Sequence, residues 1–223
     1  MPALRAVIFA NGELADLAAA LAALRDGDWL IAADGGTRHC RALGLTPNAV
    51  IGDFDSLPPG EFEALSKQGA ELHLYPRRKD KTDLELALRH AVKGGAQDLL
   101  VLGALGLRWD QTLANLMLLA LPDLAAVRVR LVDGNQQVTL IRGREDIEGR
   151  AGDIVSLVPL GGEARGVTTH GLEYPLDNGS LPFGSTLGLS NTLLSESAMV
   201  EVREGLVACV VISESGSVRT RDA

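Results

Sequence analysis

The feature that most constrains the fold of this chain is the alternation of short apolar runs with helical patterns in its first half. The apolar runs predict strands at Leu4–Ala10, at Trp29–Ala33, up to Val50-Ile51, and at Glu71–Tyr75, Leu99–Leu102 and Val127–Val132. The periodic segments between them predict helices at Leu14–Arg25, Thr37–Leu43, Glu61–Gln68, Asp83–Val92 and Leu113–Leu121. This alternation is typical of α/β folds with a mostly parallel, doubly wound sheet. Ligands of such sheets bind beyond the carboxyl ends of the strands.

The texture of the sequence changes after about Gly143, where helical patterns give way to glycines and short strand-like runs. The clearest runs are Ile154–Leu160, Ala198–Arg203 and Leu206–Ser213, and a Glu204-Gly205 turn joins the last two. This pattern favours a smaller antiparallel β-sandwich or barrel. We therefore predict two domains, an α/β domain over residues 1–143 and a β-rich domain over residues 144–223.

Charge and cysteine content restrict the partners and the compartment. Lys plus Arg number 21 and Asp plus Glu number 29, giving a net charge of −8, so nucleic acids and anionic membranes are not expected as partners. Cys40 and Cys209 lie far apart and indicate no disulfide framework. The start at Met1–Arg5 lacks the long apolar stretch of a signal peptide, and Leu14–Leu24 is too short to span a bilayer. We expect a cytoplasmic protein.

Two acidic clusters follow the second and third predicted strands. In Ala33-Asp34-Gly35-Gly36, the glycines would let the backbone approach a phosphate. A tight strand-to-helix turn capped by Asp34 explains the same residues equally well. In Gly52-Asp53-Phe54-Asp55-Ser56, two carboxylates on an extended segment point to the same side. Their repulsion favours Mg²⁺ between them, although a helix cap at Asp55 or Ser56 is the alternative.

A cationic cluster, Arg77-Arg78-Lys79-Asp80-Lys81-Thr82-Asp83, follows the fourth strand. Thr82 and Glu85 fit a capping box, whereas Asp80 is not needed for that box and lies among cations that keep it ionised. The basic side chains either neutralise a polyphosphate or form a solvated loop, and in an acidic chain we favour phosphate.

The segment Gly103–Gln111 follows the fifth strand and adds a guanidinium and a carboxylate to the same sheet edge. Arg108 suits phosphate oxygens, whereas Asp110 could simply cap the next helix. The four clusters together predict a Mg²⁺–polyphosphate site. No Walker loop or Gly-x-Gly fingerprint occurs, and the histidines, at 39, 73, 90 and 170, show no zinc-ligand spacing and are expected to be structural or exposed.

In this order the motifs resemble those of the thiamin pyrophosphokinase family. The resemblance rests on Ala33-Asp34-Gly35-Gly36, Pro47 leading into Ile51–Ser56, Asp80-x-Thr82-Asp83-Leu84-Glu85-x-Ala87-Leu88, Gly103–Asn115, Gly166–Leu176 and Gly188-Leu189-Ser190-Asn191. It implies an ATP-binding catalytic domain over 1–143 and a thiamin-binding domain over 144–223. It also implies transfer of the pyrophosphoryl group of ATP to thiamin, releasing AMP, by a homodimer with thiamin at the subunit interface.

The resemblance also implies roles for individual residues. Mg²⁺ would be held by Asp53, Asp55 and Asp80. Catalysis would involve Asp55, Asp80, Arg108 and Asp110. The ATP phosphates would be bound by Asp34, Gly35, Gly36, Arg78, Lys81, Thr82 and Asp83, and thiamin by Ser190 and Asn191.

The sequence departs from the family pattern beside Arg108. Relatives usually show Gly-Gly-Arg-x-Asp-His where this chain has Gly106-Leu107-Arg108-Trp109-Asp110-Gln111. Leu107 and Gln111 leave open a pyrophosphokinase for another heterocyclic alcohol, such as a pterin. A nucleotide- or thiamin-binding module without turnover is a further alternative, against which the retained carboxylates argue.

Overall fold

The protein, examined as a computed structural model, is described over residues 4–214 and 216, which form one unit up to Asp133 and a second from Gly134. The outer ends of the two predicted domains, residues 1–3 and 217–223, lie outside the described residues. The change of sequence texture at Gly143 falls inside the second unit, between two of its strands. No helix in the described part of the chain is long and apolar enough to cross a membrane.

The first unit alternates strands and helices as the sequence predicts. Its strands are β1 (Leu4–Phe9), β2 (Trp29–Ala33), β3 (Ala49–Gly52), β4 (Glu71–Leu74), β5 (Ala96–Leu102) and β6 (Arg128–Asp133). Its α-helices are α1 (Leu17–Ala22), α2 (Thr37–Ala42), α3 (Glu61–Lys67), α4 (Asp83–Lys93) and α5 (Trp109–Leu118). Short 3₁₀ turns cover Asp34–Gly36 and Pro122–Leu124.

The strands of this unit lie in the order β6-β5-β1-β2-β3-β4, and every neighbouring pair is parallel. The chain runs outward from β1 to β4 and then returns through α4 to β5, on the other side of β1. The order therefore reverses between β1 and β5, where open α/β sheets bind their ligands. Backbone hydrogen bonds join the loops after these strands, from Ala10 N to Leu102 O at 2.8 Å and from Gly12 N to Gly103 O at 2.7 Å.

Helices cover both faces of this sheet, so it is doubly wound. On one face Val7 and Phe9 of β1 share a buried cluster with residues of α1, α2 and α3. Helix α4 contacts β1, β2, β3 and β5. Its buried residues recur at the spacing of one helix face, namely Leu84, Ala87, Leu88 and Ala91.

The second unit is an antiparallel β-sandwich. Its strands are β7 (Gln136–Ile141), β8 (Arg144–Glu148), β9 (Ile154–Pro159), β10 (Ala164–His170), β11 (Gly179–Leu181), β12 (Asn191–Thr192), β13 (Ser197–Glu201) and β14 (Val207–Ile212). One sheet has the order β12-β9-β14-β7 and the other β11-β10-β13-β8. Val155, Val207 and Val211 from the first sheet share one core with Val167 and Val200 from the second.

The predicted fold class is confirmed, and of the two architectures left open for the β-rich region the sandwich is correct. The described strands of this region form two sheets and no closed barrel. Helix α5 begins at Trp109 rather than near Leu113, because Arg108 is its N-cap and Asp110 lies in its first turn. Helix α1 is shorter than predicted and begins after Asp16, whose side chain accepts a hydrogen bond from Ala19 N at 2.8 Å.

Candidate functional site

A cavity of about 460 Å³ lies at the carboxyl ends of the parallel strands, at the reversal of strand order. Its volume is within the range of small-molecule sites. The loop after each of the strands β1 to β5 contributes to it, as does the start of α5. The polar residues that line it are Asn11, Asp34, Asp53, Arg77, Lys79, Lys81, Thr82, Asp83, Arg108, Gln111 and Asn115. Most of the clusters that the sequence placed after strands therefore meet in one cavity.

Three carboxylates converge at this edge of the sheet. Asp34, Asp53 and Asp55 each offer an oxygen, and these oxygens lie within 4.8 Å of one another. Asp34 is buried in a left-handed conformation, with φ of 43°, and its side chain accepts a hydrogen bond from Phe54 N at 3.1 Å. Phe54 is itself left-handed, with φ of 61°. Left-handed backbone costs free energy at both residues. In this conformation the loop after β3 contacts Asp34 through the amide of Phe54.

None of these carboxylates acts as a helix cap. The N-cap of α3 is Gly60 and that of α2 is Gly36, and neither helix has a side-chain cap bond. The capping alternatives considered for Asp34 and Asp55 are therefore wrong. Three clustered carboxylates without a capping role match the hard oxygen donor set that Mg²⁺ prefers.

Two cations from the loop after β4 face these carboxylates. Lys79 Nζ lies 3.5 Å from Asp53 Oδ2 and 3.0 Å from Asp83 Oδ1, and Arg77 Nε lies 3.3 Å from Asp55 Oδ2. Burial alone would raise the pKa of Asp53, but the amide of Asp55 and the Lys79 ammonium outweigh it and lower that pKa. Asp53 is therefore ionised at neutral pH and available as a ligand.

The same loop holds other residues that the sequence singled out. Lys81 lines the cavity with Arg77 and Lys79, whereas Arg78 and Asp80 are exposed and are not among the lining residues described. Asp80 does not belong to the described group of three carboxylates. The structure thus brings Asp53 and Asp55 together with Asp34, and not with Asp80.

The first turn of α4 borders the cavity. Thr82 caps this helix, and its hydroxyl accepts a hydrogen bond from Glu85 N at 3.2 Å, which is one half of the predicted capping box. The Glu85 carboxylate does not complete the box but accepts from Arg89 Nε at 2.9 Å. Burial raises the pKa of Asp83, and the nearby Asp34 and Asp53 act in the same direction against the Lys79 ammonium.

Arg108 and Asp110 lie together at the start of α5. Arg108 Nε donates to Asp110 Oδ1 at 3.0 Å, and a second guanidinium nitrogen contacts the other carboxylate oxygen. This pairing lowers the pKa of Asp110. Arg108 lines the cavity, and both side chains are largely exposed. Leu107, beside them, is left-handed with φ of 54°.

The paired glycines have a packing role. A Cβ on Gly36 would lie 1.9 Å from Phe9 O, and one on Gly35 would lie 2.4 Å from the Asn11 side chain. Neither glycine is among the residues that line the cavity. They allow the turn after β2 to pack against the loop after β1.

The loop after β1, Ala10-Asn11-Gly12, also lines the cavity, although the sequence analysis did not identify it. Arg38 donates to Asn11 O at 2.9 Å and the His39 ring contacts Gly12 O at 2.9 Å. Asn115 ends the Gly103–Asn115 motif but received no role there; it is buried and donates to Ala104 O at 2.6 Å. The strand-end rule, applied to the first strand as well, identifies Asn11.

The predicted thiamin residues lie in the second unit. Ser190 is left-handed, with φ of 57°, and its amide donates to Ser156 Oγ at 3.0 Å. The Asn191 side chain accepts from Tyr174 N at 3.0 Å and donates to Tyr174 O at 2.8 Å. Asn191 therefore fixes the backbone of Tyr174, a residue that is 67% exposed.

Comparison with known proteins gives a consistent result over both units. The chain matches the family descriptions "Thiamin pyrophosphokinase, catalytic domain" over residues 21–131 and "Thiamin pyrophosphokinase, vitamin B1 binding domain" over residues 139–207. It is 31% identical to thiamine pyrophosphokinase of Bacillus subtilis, over 81% of this chain and 85% of that protein. Thiamine pyrophosphokinase 1 of Oryza sativa is 28% identical over 72% of this chain, which spans 64% of that protein.

The fold agrees with a solved structure. The crystal structure of thiamine pyrophosphokinase from Bacillus subtilis superposes with a TM-score of 0.84 at 26% identity, covering 94% of this chain and 99% of that one.

Proposed function

Since the chain belongs to the thiamin pyrophosphokinase family, we propose that it transfers the pyrophosphoryl group of ATP to thiamin, giving thiamin diphosphate and AMP. The observation that carries this proposal is the meeting of Asp34 and Asp53 with the cations of the β4–α4 loop in one cavity, beside which Asp55 completes the carboxylate cluster. Opposite charges facing each other across a cavity at the strand reversal suit a metal-bound polyphosphate.

Asp34, Asp53 and Asp55 are the residues that would hold Mg²⁺. Asp34 takes the third place that the resemblance implies for Asp80, because the carboxylate of Asp34 belongs to the described cluster and that of Asp80 does not. When bound, the ion neutralises charge on the phosphate oxygens of ATP. Lys79 pairs with Asp53 and Arg77 pairs with Asp55, so these two cations help to hold the carboxylates in place.

Arg77, Lys79, Lys81 and Arg108 would bind the phosphates. These four cations line the cavity and belong to the loops after β4 and β5. Phosphoryl-type transfer depends on positioning and charge neutralisation, and cations held in place provide both. Asp110 orients the Arg108 guanidinium by pairing with two of its nitrogens. Gly35, Gly36, Arg78 and Asp80 lie outside both the described lining and the described carboxylate cluster, so we propose secondary roles for them.

We assign thiamin to the second unit, with Ser190 and Asn191 contributing to its pocket. Asn191 holds Tyr174, an exposed aromatic residue that could stack on a heterocycle. Residues 144–223 accordingly form the proposed thiamin-binding domain and residues 1–143 the proposed ATP-binding domain.

A homodimer is proposed on the basis of helix α5. Trp109, Leu113 and Met117 recur every four residues and are 80%, 54% and 60% exposed. Such an apolar stripe on one helix face is typical of an interface. The buried, free Cys40 and Cys209 support the proposed cytoplasmic location. The net charge of −8 supports a protein without nucleic-acid or membrane partners.

The test is to incubate the protein with ATP, Mg²⁺ and thiamin and to separate AMP from ADP. Formation of AMP together with thiamin diphosphate is expected. ADP in place of AMP would identify an ordinary kinase. AMP release with a pterin alcohol and not with thiamin would show that the acceptor is another heterocyclic alcohol. Ligand binding without either product would indicate a binding module without turnover.

A further inference from the structure

A second group of metal-binding side chains lies outside the cavity described above. Glu71 and His73 are on β4, and His90 is in the last turn of α4. One carboxylate oxygen of Glu71 and one ring nitrogen of each histidine lie within 4.8 Å of one another. None of the three residues lines the cavity, which is bordered by the first turn of α4.

The spacing of these atoms suits a tetrahedral ion. Zn²⁺ with ligands at its usual distances places neighbouring donor atoms about 3.3–3.5 Å apart. His73 Nε2 and Glu71 Oε2 are separated by 3.4 Å. The two imidazole rings are in contact, with centroids 4.4 Å apart and planes tilted by 56°. Small rotations of the His73 and Glu71 side chains would therefore bring all three donors to an ion.

An independent observation indicates that the ring of His90 lacks a binding partner. Its Nε2 is buried and has no hydrogen-bond partner among the described residues. A buried polar atom without a partner is costly, and native structures rarely leave one unexplained. The ring also packs against Trp29, with centroids 5.3 Å apart, which limits its ability to turn toward solvent. A bound ion would give this side chain the partner that the protein does not.

The site is also accessible and chemically selective. The Glu71 and His73 side chains are 72% and 35% exposed, so an ion can reach them from solvent. Two imidazoles and one carboxylate suit borderline ions such as Zn²⁺, whereas Mg²⁺ prefers oxygen ligands alone.

We propose that Glu71, His73 and His90 form a second divalent-metal site, selective for Zn²⁺-like borderline ions, with water completing the coordination. The ion ties β4, which lies at the edge of the sheet and pairs only with β3 among the described strands, to helix α4. Since the ion binds the folded protein and links two elements, it raises the melting temperature. The loop that joins these two elements carries Arg77, Lys79 and Lys81.

The experiment is a calorimetric titration of the full-length protein with ZnCl₂ in excess MgCl₂, with no nucleotide or thiamin present. The excess Mg²⁺ would compete with Zn²⁺ for the carboxylates of the aspartate cluster, whereas it competes poorly for imidazole. One Zn²⁺ per chain is expected, with a rise in melting temperature. Each of His73→Ala, His90→Gln and Glu71→Gln should weaken Zn²⁺ binding about tenfold to a hundredfold or more.

His170→Ala is the matched control, because His170 is an exposed histidine on β10 in the second unit. This variant should bind Zn²⁺ as the parent protein does. If His90→Gln fails to fold, Glu71→Gln and His73→Ala, at more exposed positions, still decide the question. Zn²⁺ binding that is absent in the parent, or unchanged in His73→Ala and Glu71→Gln, would overturn the proposal.

Discussion

Single residues show their role most clearly at the carboxylate cluster, where geometry separates metal binding from helix capping. Asp34, Asp53 and Asp55 converge within 4.8 Å, and the helix that follows Asp55 is capped by Gly60 instead. Lys79 and Arg77 pair with Asp53 and Asp55, whereas Asp34 has no ion pair among the described residues. Local structure therefore does not explain why the three carboxylates cluster, whereas binding of Mg²⁺ and a polyphosphate does.

Asp55→Asn tests this conclusion. Asn keeps the shape of the side chain but removes one charge, so turnover should fall about a hundredfold or more, as on loss of one preorganised electrostatic contact. The melting temperature without ligand should stay level or rise, because repulsion with Asp34 and Asp53 is relieved and the ion pair lost to the exposed Arg77 is worth little. Stabilisation by Mg²⁺–ATP should shrink.

The readouts for Asp55→Asn are AMP release and thermal melting with and without Mg²⁺–ATP. Asp26→Asn, at an exposed carboxylate outside the described cavity lining, is the control and should behave as the parent does. Near-normal AMP release by Asp55→Asn would refute the metal role.

Leu107 has a backbone conformation that leucine rarely adopts. Its φ is 54° and it is 72% exposed, so its side chain gains little burial in return. Left-handed backbone costs a residue with a Cβ about 1–2 kcal/mol, whereas glycine loses about 0.5–1 kcal/mol through unfolded-state entropy. Leu107→Gly should therefore raise the melting temperature by about 1–4 °C.

Leu107→Ala is the matched comparison for Leu107→Gly, because alanine retains the Cβ and hence the strain. It should not raise the melting temperature. An equal rise in both variants, measured by calorimetry, would show that the exposed leucine side chain and not the backbone is the cause.

At the scale of elements, the sequence was informative wherever a strand is buried on both faces. β1 and β5 read as continuous apolar runs, and both are buried over most of their length. Strand β8 was missed because only Ile147 of its residues is buried and the others are mostly charged. β11 and β12 are too short to produce a pattern. Neither strand can be recognised in the sequence without knowledge of the sheet to which it belongs.

The site was predictable to the extent that it follows strand ends. Asp53 and Asp55 were identified because they follow β3, and the structure adds Asp34 through the hydrogen bond from Phe54. Asp80 follows from the same rule, yet it is exposed beside Lys79, which faces inward to Asp53 and Asp83. Which loop side chains turn inward depends on tertiary contacts, and a sequence pattern does not contain them.

The N-cap of α4 links the stability of this helix to the site. Thr82 accepts the amide of Glu85 and stands beside Asp83, which pairs with Lys79. Thr82→Ala should lower the free energy of unfolding by about 1 kcal/mol, measured by urea denaturation. It should also raise the KM for ATP, because the first turn of α4 borders the cavity. Thr82→Ser retains the hydroxyl and should restore both properties, whereas a Thr82→Ser variant as impaired as Thr82→Ala would show that the cap is not responsible.

At the scale of the whole molecule, the two units differ in architecture and in the side chains that their loops expose. The first unit places polar loops at one edge of a parallel sheet, whereas the second presents exposed apolar side chains in loops, among them Phe183, Leu187 and Leu189. Isolated exposed apolar residues are common, but a stripe on one helix face, as on α5, is not. We therefore expect a second copy of the chain to cover this face of α5.

The last prediction is that α5 mediates self-association. Leu113→Glu combined with Met117→Glu places two charges in the apolar stripe, so the protein should sediment as a monomer of 23.5 kDa whereas the parent sediments as a dimer. Folding should be unaffected, because both side chains are already more than half exposed. Leu21→Glu is the control, since Leu21 is 51% exposed on α1 and should leave the dimer intact. If activity requires the second copy, AMP release by the double variant should fall with dilution more steeply than that of the parent. A parent protein that sediments as a monomer while fully active would exclude the dimer, and a double variant that remains dimeric would place the interface elsewhere.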